Sequence, residues 1–166
     1  MTDTNPIMHP TWKHVEESAQ YLVLGLETIS KTNDGWQPDY IIGLTRGGLI
    51  PAVLISHILD VPMIAVNYSS AVGAGDNKNH QNALPAIYGG TVSGTGELPA
   101  APNLLIVDDI CDSGHTLKEV YEFYANQGHN VHTAVMYYKE GGVFTPTLWW
   151  HWLPKDAPWI IFSWEN

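Results

Sequence analysis

The chain has 166 residues, is 45% hydrophobic and carries a formal net charge of −10 at pH 7. That is enough apolar material for one ordinary domain with a real core, and too much for a disordered chain. With only 7 basic residues a general nucleic-acid surface is excluded, and the single cysteine, Cys111, excludes an internal disulfide framework and a cysteine-based zinc site.

Taken in chain order, the first residues show no basic region followed by an apolar run. No stretch approaches membrane-spanning length, so a cytoplasmic protein with no membrane or nucleic-acid partner is expected. Thr11 can cap a helix whose apolar face is Val15, Ala19, Leu22, Leu26 and Ile29, ended by Asn33-Asp34-Gly35. Tyr40 to Leu44 read as a buried strand, Pro51 to Leu59 as an apolar helix and 62 to 66 as a second strand. The first strand and helix are joined by Thr45-Arg46-Gly47-Gly48. Arg46 is the only arginine in the chain, and paired glycines beside it allow close backbone approach to an anion, so this turn reads as a phosphate cradle.

From Ser69 to Asn103 runs about a fifth of the chain, rich in Gly, Asn, Ala and Ser. A loop of that length reads as a lid, with Tyr88-Gly89-Gly90-Thr91 suited to a hairpin and Lys78 as a solvated lysine. Leu104 to Val107 then read as a buried strand, and the switch to Asp108, Asp109 and Asp112 is expected to mark its end. Ser113-Gly114-His115-Thr116 leads into a helix with Leu117, Val120, Tyr121 and Tyr124 on one face, stopping at Gly128. A Gly/Ser/Thr loop at a helix start turns several N–H groups and the positive end of the helix dipole toward one point, which suits a phosphate. The paired aspartates before it suit ribose hydroxyls and a divalent metal.

A last strand is expected over 131 to 137, with Lys139 at its end, followed by Gly141-Gly142 and an irregular aromatic stretch containing Phe144, Trp149, Trp150 and Trp152. Five of the seven tryptophans fall between 149 and 164, a density that reads as packing for Trp149, Trp150, Trp152 and Trp164. His129 and His132 read as surface residues, no histidine pair has metal-ligand spacing, and Cys111 reads as a small filler. Together the elements imply an α/β fold, a mostly parallel central sheet with helices on both faces in one domain over 1–166. Ligands in such sheets bind beyond the carboxyl ends of the strands, where both glycine-rich loops sit.

The segment VDDICDSGHTL resembles the phosphoribosyl pyrophosphate (PRPP) motif of the type I phosphoribosyltransferases. That resemblance implies the type I fold, a lid over about 69–103 that closes on PRPP, and a small hood over about 139–166 that selects the base. It implies PRPP contacts from Arg46, Gly47 and Gly48 to the pyrophosphate, and from Asp108, Asp109, Asp112, Ser113, Gly114, His115 and Thr116 to the ribose and its phosphate. Mg²⁺ is implied as cofactor, held by Asp108 and Asp109 directly or through water, with Asp112 as general base and Asp108 and Asp109 sharing the catalytic work. Lys139 followed about twenty residues later by Trp159-Ile160 resembles the 6-oxopurine transferases, especially the xanthine-guanine type. There, Lys139 would donate to the purine 6-oxo group, Trp159 would stack, and Ile160 and Ile110 would complete the base site. The implied reaction is purine salvage, from PRPP and a 6-oxopurine to the nucleoside 5′-monophosphate and pyrophosphate, in a homodimer or homotetramer. A PRPP- or nucleotide-sensing regulator of the same fold, or an enzyme for a pyrimidine or other acceptor, are the alternatives.

Overall fold

The computed structural model describes residues 7–33, 35–68, 91–92, 96–97 and 101–165. In chain order they form β1 (Ile7–Met8), α1 (Trp12–Thr32), β2 (Tyr40–Leu44), α2 (Leu49–Leu59), β3 (Met63–Val66), β4 (Thr91–Val92), β5 (Gly96–Glu97), β6 (Asn103–Cys111), α3 (His115–Ala125), β7 (Asn130–Lys139), β8 (Leu148–Leu153) and β9 (Trp159–Ile160). Five strands make one sheet in the order β3-β2-β6-β7-β8, and every neighbouring pair is parallel. Successive residues of a strand point to opposite faces. Ile41, Leu105 and Val107 therefore pack with α1 and α2, while Ile42, Leu104 and Ile106 pack with α3. A sheet covered on both faces explains why β2, buried along its whole length, reads as an unbroken apolar run.

Each helix follows from local chemistry. Thr11 closes α1 with a reciprocal capping box, its hydroxyl accepting from the His14 N–H while its own N–H donates to His14 Nδ1. Val15, Ala19, Leu22 and Leu26 are buried as the spacing predicts. Helix α2 lies close on β2 because Gly43 has no side chain: a Cβ there would come within 2.9 Å of the Ala52 Cβ. Helix α3 buries Leu117, Val120 and Tyr124, and Gly128 follows it at φ +89°, where other residues are strained.

The structure corrects the sequence reading in four places. Strand β6 does not end at the acidic switch; it runs on through Asp108 and Asp109 to Cys111 because β7 offers a ladder partner as far as Tyr138. The aromatic stretch is not irregular, since Leu148–Leu153 is the fifth strand of the sheet, pairing Val135 with Trp149 and Tyr138 with Trp152. Its rings pack on β7, Trp149 at 5.2 Å from Tyr138 and Trp150 at 5.7 Å from Tyr137, yet Trp152 is half exposed rather than packed. His129 and His132 are not surface residues: His129 is buried against Tyr124, and His132 meets the Trp36 ring edge-on at 4.4 Å. Within the expected lid, Thr91–Val92 and Gly96–Glu97 form an antiparallel pair. Tyr88, Gly89, Gly90 and Lys78 lie outside the described residues. Among the described residues no helix is long and apolar enough to cross a membrane.

His132 is expected to make the fold sensitive to acid. Its Nε2 is buried with no hydrogen-bond partner among the described residues, and desolvation lowers its pKa below the ordinary 6.5. A base whose folded-state pKa is depressed is favoured neutral, so its stabilising contribution is complete above the unfolded value and declines as the pH falls below it. The loss of urea midpoint between about pH 7.5 and about pH 5.5 should therefore be smaller in His132→Phe than in the wild type. An equal loss in both proteins would assign the acid sensitivity to other groups.

Candidate active site

The site is built at the carboxyl ends of β2, β6 and β7. After β2 the chain turns sharply through Thr45, Arg46, Gly47 and Gly48, with a cis peptide bond between Thr45 and Arg46. Both glycines lie directly against the end of β6. A Cβ on Gly47 would overlap the Asp109 carboxylate, and one on Gly48 would come within 2.7 Å of the Val107 carbonyl and 2.8 Å of the Asp108 Cα. A side chain at Gly48 would force the two backbone segments apart, and one at Gly47 would displace the Asp109 carboxylate. Arg46 is exposed beside them and belongs to no ion pair among the described residues.

The end of β6 is irregular at the acidic pair. The ladder to β7 pairs Asp108 with Val135 and then Ile110 with Tyr137, passing over Asp109. Backbone groups turn to the acids instead: the Asp109 N–H donates to Asp108 Oδ1 at 3.0 Å and the Ile110 N–H to Asp109 Oδ1 at 2.9 Å. Burial, and then the neighbouring Asp109 carboxylate, push Asp108 well above the usual carboxylate range; burial raises Asp109 as well. The two titrate as a pair in which carrying both charges is costly.

The loop after β6 is clamped from the β7–β8 side. Gly114 sits at φ +80°, and a Cβ there would meet the Phe144 backbone at 2.9 Å. Gly142 approaches the Asp112 and Ser113 carbonyls just as closely, and the Val143 N–H donates to the Ser113 carbonyl at 2.8 Å. The Cys111 thiol points to the Phe144 carbonyl at 3.6 Å and is pushed up to about 12 by burial, which leaves it a protonated filler. Both α2 and α3 begin at a glycine, Gly48 and Gly114, with no side-chain cap, in contrast to the fully capped α1. Two helix N-termini thus open onto the same end of the sheet without a side chain of their own to close them.

Two cavities adjoin here. One, of about 210 Å³, is lined by Asp109, Ile110, Asp112, Lys139, Leu153, Pro158, Trp159, Ile160, Phe162 and Glu165. Lys139 Nζ stands 3.4 Å from Asp112 Oδ1 across it. Trp159 is 66% exposed and offers a free aromatic face, whereas Ile160 is buried. The other, of about 480 Å³, is bordered by Arg46, Gly47, Trp164 and Glu165. Glu165 is common to both; its Oε2 accepts from the Phe162 N–H at 2.8 Å, and its charge adds to the rise at Asp109.

Ile110, Asp112, Lys139, Trp159 and Ile160, far apart in sequence, therefore meet at one cavity, with Arg46 and Gly47 at the next. Asp108 lies against Gly48, and Ser113 and Gly114 against the 142–144 loop, but none of the three lines either cavity; His115 and Thr116 form the first turn of α3. The sequence reading did not single out Glu165, Pro158, Phe162 or Gly142. Only the acidic, aromatic tail hinted at the first three, because nothing local places a chain terminus against a strand end fifty residues earlier.

Residues 13–165 match the family model of the phosphoribosyl transferase domain. A xanthine-guanine phosphoribosyltransferase of Roseobacter denitrificans is 28% identical over 162 residues, covering 95% of this chain and 84% of the relative. The crystal structure of a purine phosphoribosyltransferase from Pyrococcus horikoshii superposes with a TM-score of 0.69 at 26% identity, covering 96% of this chain and 94% of that one. A Helicobacter pylori xanthine-guanine-hypoxanthine phosphoribosyltransferase shares the fold with a TM-score of 0.67 at 21% identity over 96% of this chain and 94% of its own.

The acidic pair carries a stability penalty that can be measured. A carboxylic acid whose folded-state pKa is raised is disfavoured as an anion by folding, so its ionisation costs stability as the pH rises above the ordinary value. Asp109→Asn keeps the acceptor oxygen for the Ile110 N–H and removes the charge. It should raise the Tm of the ligand-free protein near pH 8, with a gap to wild type that narrows toward about pH 4. A lower Tm at both pH values would mean that the charge is compensated in the fold.

Proposed function

Because this chain belongs to the phosphoribosyl transferase family, we propose that it transfers the 5-phosphoribosyl group of PRPP to a 6-oxopurine, giving a purine nucleoside 5′-monophosphate and pyrophosphate in purine salvage. The observation that carries the choice of base is the cavity itself. A cationic donor, Lys139, and a carboxylate, Asp112, face each other at 3.4 Å beside the open face of Trp159. At about 210 Å³ the cavity is smaller than the roughly 300–1,000 Å³ that enclose drug-sized ligands, which suits a base rather than a whole nucleotide. In this reading the Lys139 ammonium donates to the 6-oxo oxygen, Trp159 stacks on the ring, and the backbone at Ile160 and Ile110 borders the remaining edge. The xanthine-guanine name of the 28% identical relative supports the same class of base.

The reaction calls on the other residues in turn. Arg46, with the backbone of Gly47 and Gly48 at the start of α2, receives the pyrophosphate, and the N–H groups of residues 113–116 at the start of α3 receive the 5′-phosphate. Asp108 and Asp109 accept from the ribose hydroxyls, and their carboxylates offset the positive charge that develops on the ribose as its C1–oxygen bond breaks. Asp112 takes the proton from the imidazole ring of the incoming base. Asp108 and Asp109, two adjacent half-buried carboxyls at the end of β6, fit Mg²⁺ as a cofactor. That ion binds through one or two carboxylates and takes its remaining oxygens from substrate and water. When bound it would neutralise pyrophosphate charge, held by Asp108 and Asp109 directly or through water.

Pyrophosphate release from PRPP and Mg²⁺, measured with a panel of free bases, tests this reading. Hypoxanthine, guanine or xanthine should turn over and adenine should not, since an amino group at position 6 would meet the ammonium with a second donor; such mispairing can discriminate by roughly 10⁴-fold. Lys139→Met should depress kcat/KM for 6-oxopurines and narrow the gap to adenine. Preference for adenine or a pyrimidine in the wild type would overturn the base assignment. Asp112→Asn should slow turnover by about 10²-fold or more with PRPP affinity nearly intact; equal losses in both would make it a binding residue instead.

A further inference from the structure

Strand β9, which presents Trp159 and Ile160 to the smaller cavity, is two residues long and is not part of the five-stranded sheet. Its ladder partner is β1, in parallel register, Ile7 opposite Trp159 and Met8 opposite Ile160. A two-stranded ribbon of this length is marginal on its own. It is extended beyond Ile160 by two further ties to the N-terminal segment. The Ile161 N–H donates to the Met8 carbonyl at 3.0 Å, and the Ser163 hydroxyl donates to the Pro10 carbonyl at 2.6 Å. Packing follows the same line: Met8 and Val15 share an apolar cluster with Ile160 and Phe162, and the Trp12 and Trp164 rings lie 6.0 Å apart. Every one of these contacts fixes the backbone between Trp159 and Glu165, the stretch that closes both cavities.

We infer that Ile7–Pro10, clasped by Ser163, is the positioning element of the base cavity, setting the height and tilt of the Trp159 face above Asp112 and Lys139. The inference rests on the proposed base site. One edge of β9 is occupied by β1, so the clasp also fixes which backbone groups of Trp159 and Ile160 remain turned away from β1. Neither Ser163 nor Met8 lines the cavity. Their influence acts through the 159–165 segment, and it should fall mainly on the base, whose cavity that segment lines with Trp159, Ile160, Phe162 and Glu165; PRPP, held chiefly by loops on the main sheet, meets the segment only at the Trp164–Glu165 border.

Steady-state kinetics on the full-length chain test this, with whichever of guanine, xanthine or hypoxanthine turns over fastest. Ser163→Ala, which removes the hydrogen bond to Pro10, should raise KM for the base by about three- to tenfold, the scale of one such bond, and Met8→Ala, which strips packing from Ile160 and Phe162 while the backbone tie stays, should raise it too. KM for PRPP should stay within about twofold. Ser163→Thr should restore the base KM, and Leu26→Ala, in the core under α1, should lower the Tm without moving it. Unchanged base KM in Ser163→Ala and Met8→Ala, while Trp159→Ala raises it, would overturn the clasp and leave the base site standing. A parallel rise in both KM values would also overturn it, as the mark of general loosening. Should Trp159→Ala itself leave base KM unaltered, the base site and the clasp fall together.

Discussion

The contact between the Arg46–Gly48 turn and the end of β6 is the constraint on which the rest of the site depends. Strands β2 and β6 are neighbours in a parallel sheet, less than 5 Å apart in general, so the loops leaving their carboxyl ends compete for one volume. Two consecutive residues without side chains resolve the competition, and the turn then rests on Asp108 and Asp109. The turn that carries the only arginine is thereby set against a carboxylate pair, and among the described residues neither Arg46 nor the two acids belong to an ion pair. The cost appears in the carboxyls, whose burial makes them reluctant to ionise until something cationic or hydrogen-bonding arrives.

A strongly acidic chain with a single arginine has few side-chain cations to offer an anion. The fold supplies donors of another kind. Helix α1 closes its own N-terminus with Thr11 and His14, whereas α2 and α3 start from glycine with no side-chain cap. The difference follows sequence, since a capping Ser, Thr, Asp or Asn at either glycine would fill the space with its own oxygen. Backbone donors and a helix dipole carry no formal charge, which keeps them compatible with the acidic pair beside them.

The cavity proposed for the base is assembled differently. Its floor, Asp109, Ile110 and Lys139, belongs to adjacent strands of the main sheet, with Asp112 just past the end of β6. Its wall, Trp159 to Glu165, rests on the N-terminal segment through one short ladder and one serine hydroxyl. Sheet-borne floor and clasped wall divide the labour expected of a site that must hold one ligand in place while admitting another.

How much of this could be read from residues alone follows from the range of the forces involved. The apolar runs, the helix with its Thr11 cap, the turn at Arg46 and the acidic loop before α3 were legible because each is decided by neighbours a few residues away. The end of β6 was misjudged because local polarity argued for a loop, and only the β7 ladder keeps Asp108 and Asp109 extended. Trp149 and Trp150 looked irregular because a strand at a sheet edge shows its period only once its partner is known. Glu165, Ser163 and Met8 were invisible for the same reason: their partners lie more than fifty residues away, or at the opposite end of the chain. The sequence by itself determined which segments form strands, helices and anion-accepting turns, since steric and hydrogen-bonding preferences act within a turn or two of backbone. The tertiary structure alone decided which carboxylate faces which lysine and what holds Trp159 over them, because packing in a close-filled interior is settled by all the elements at once.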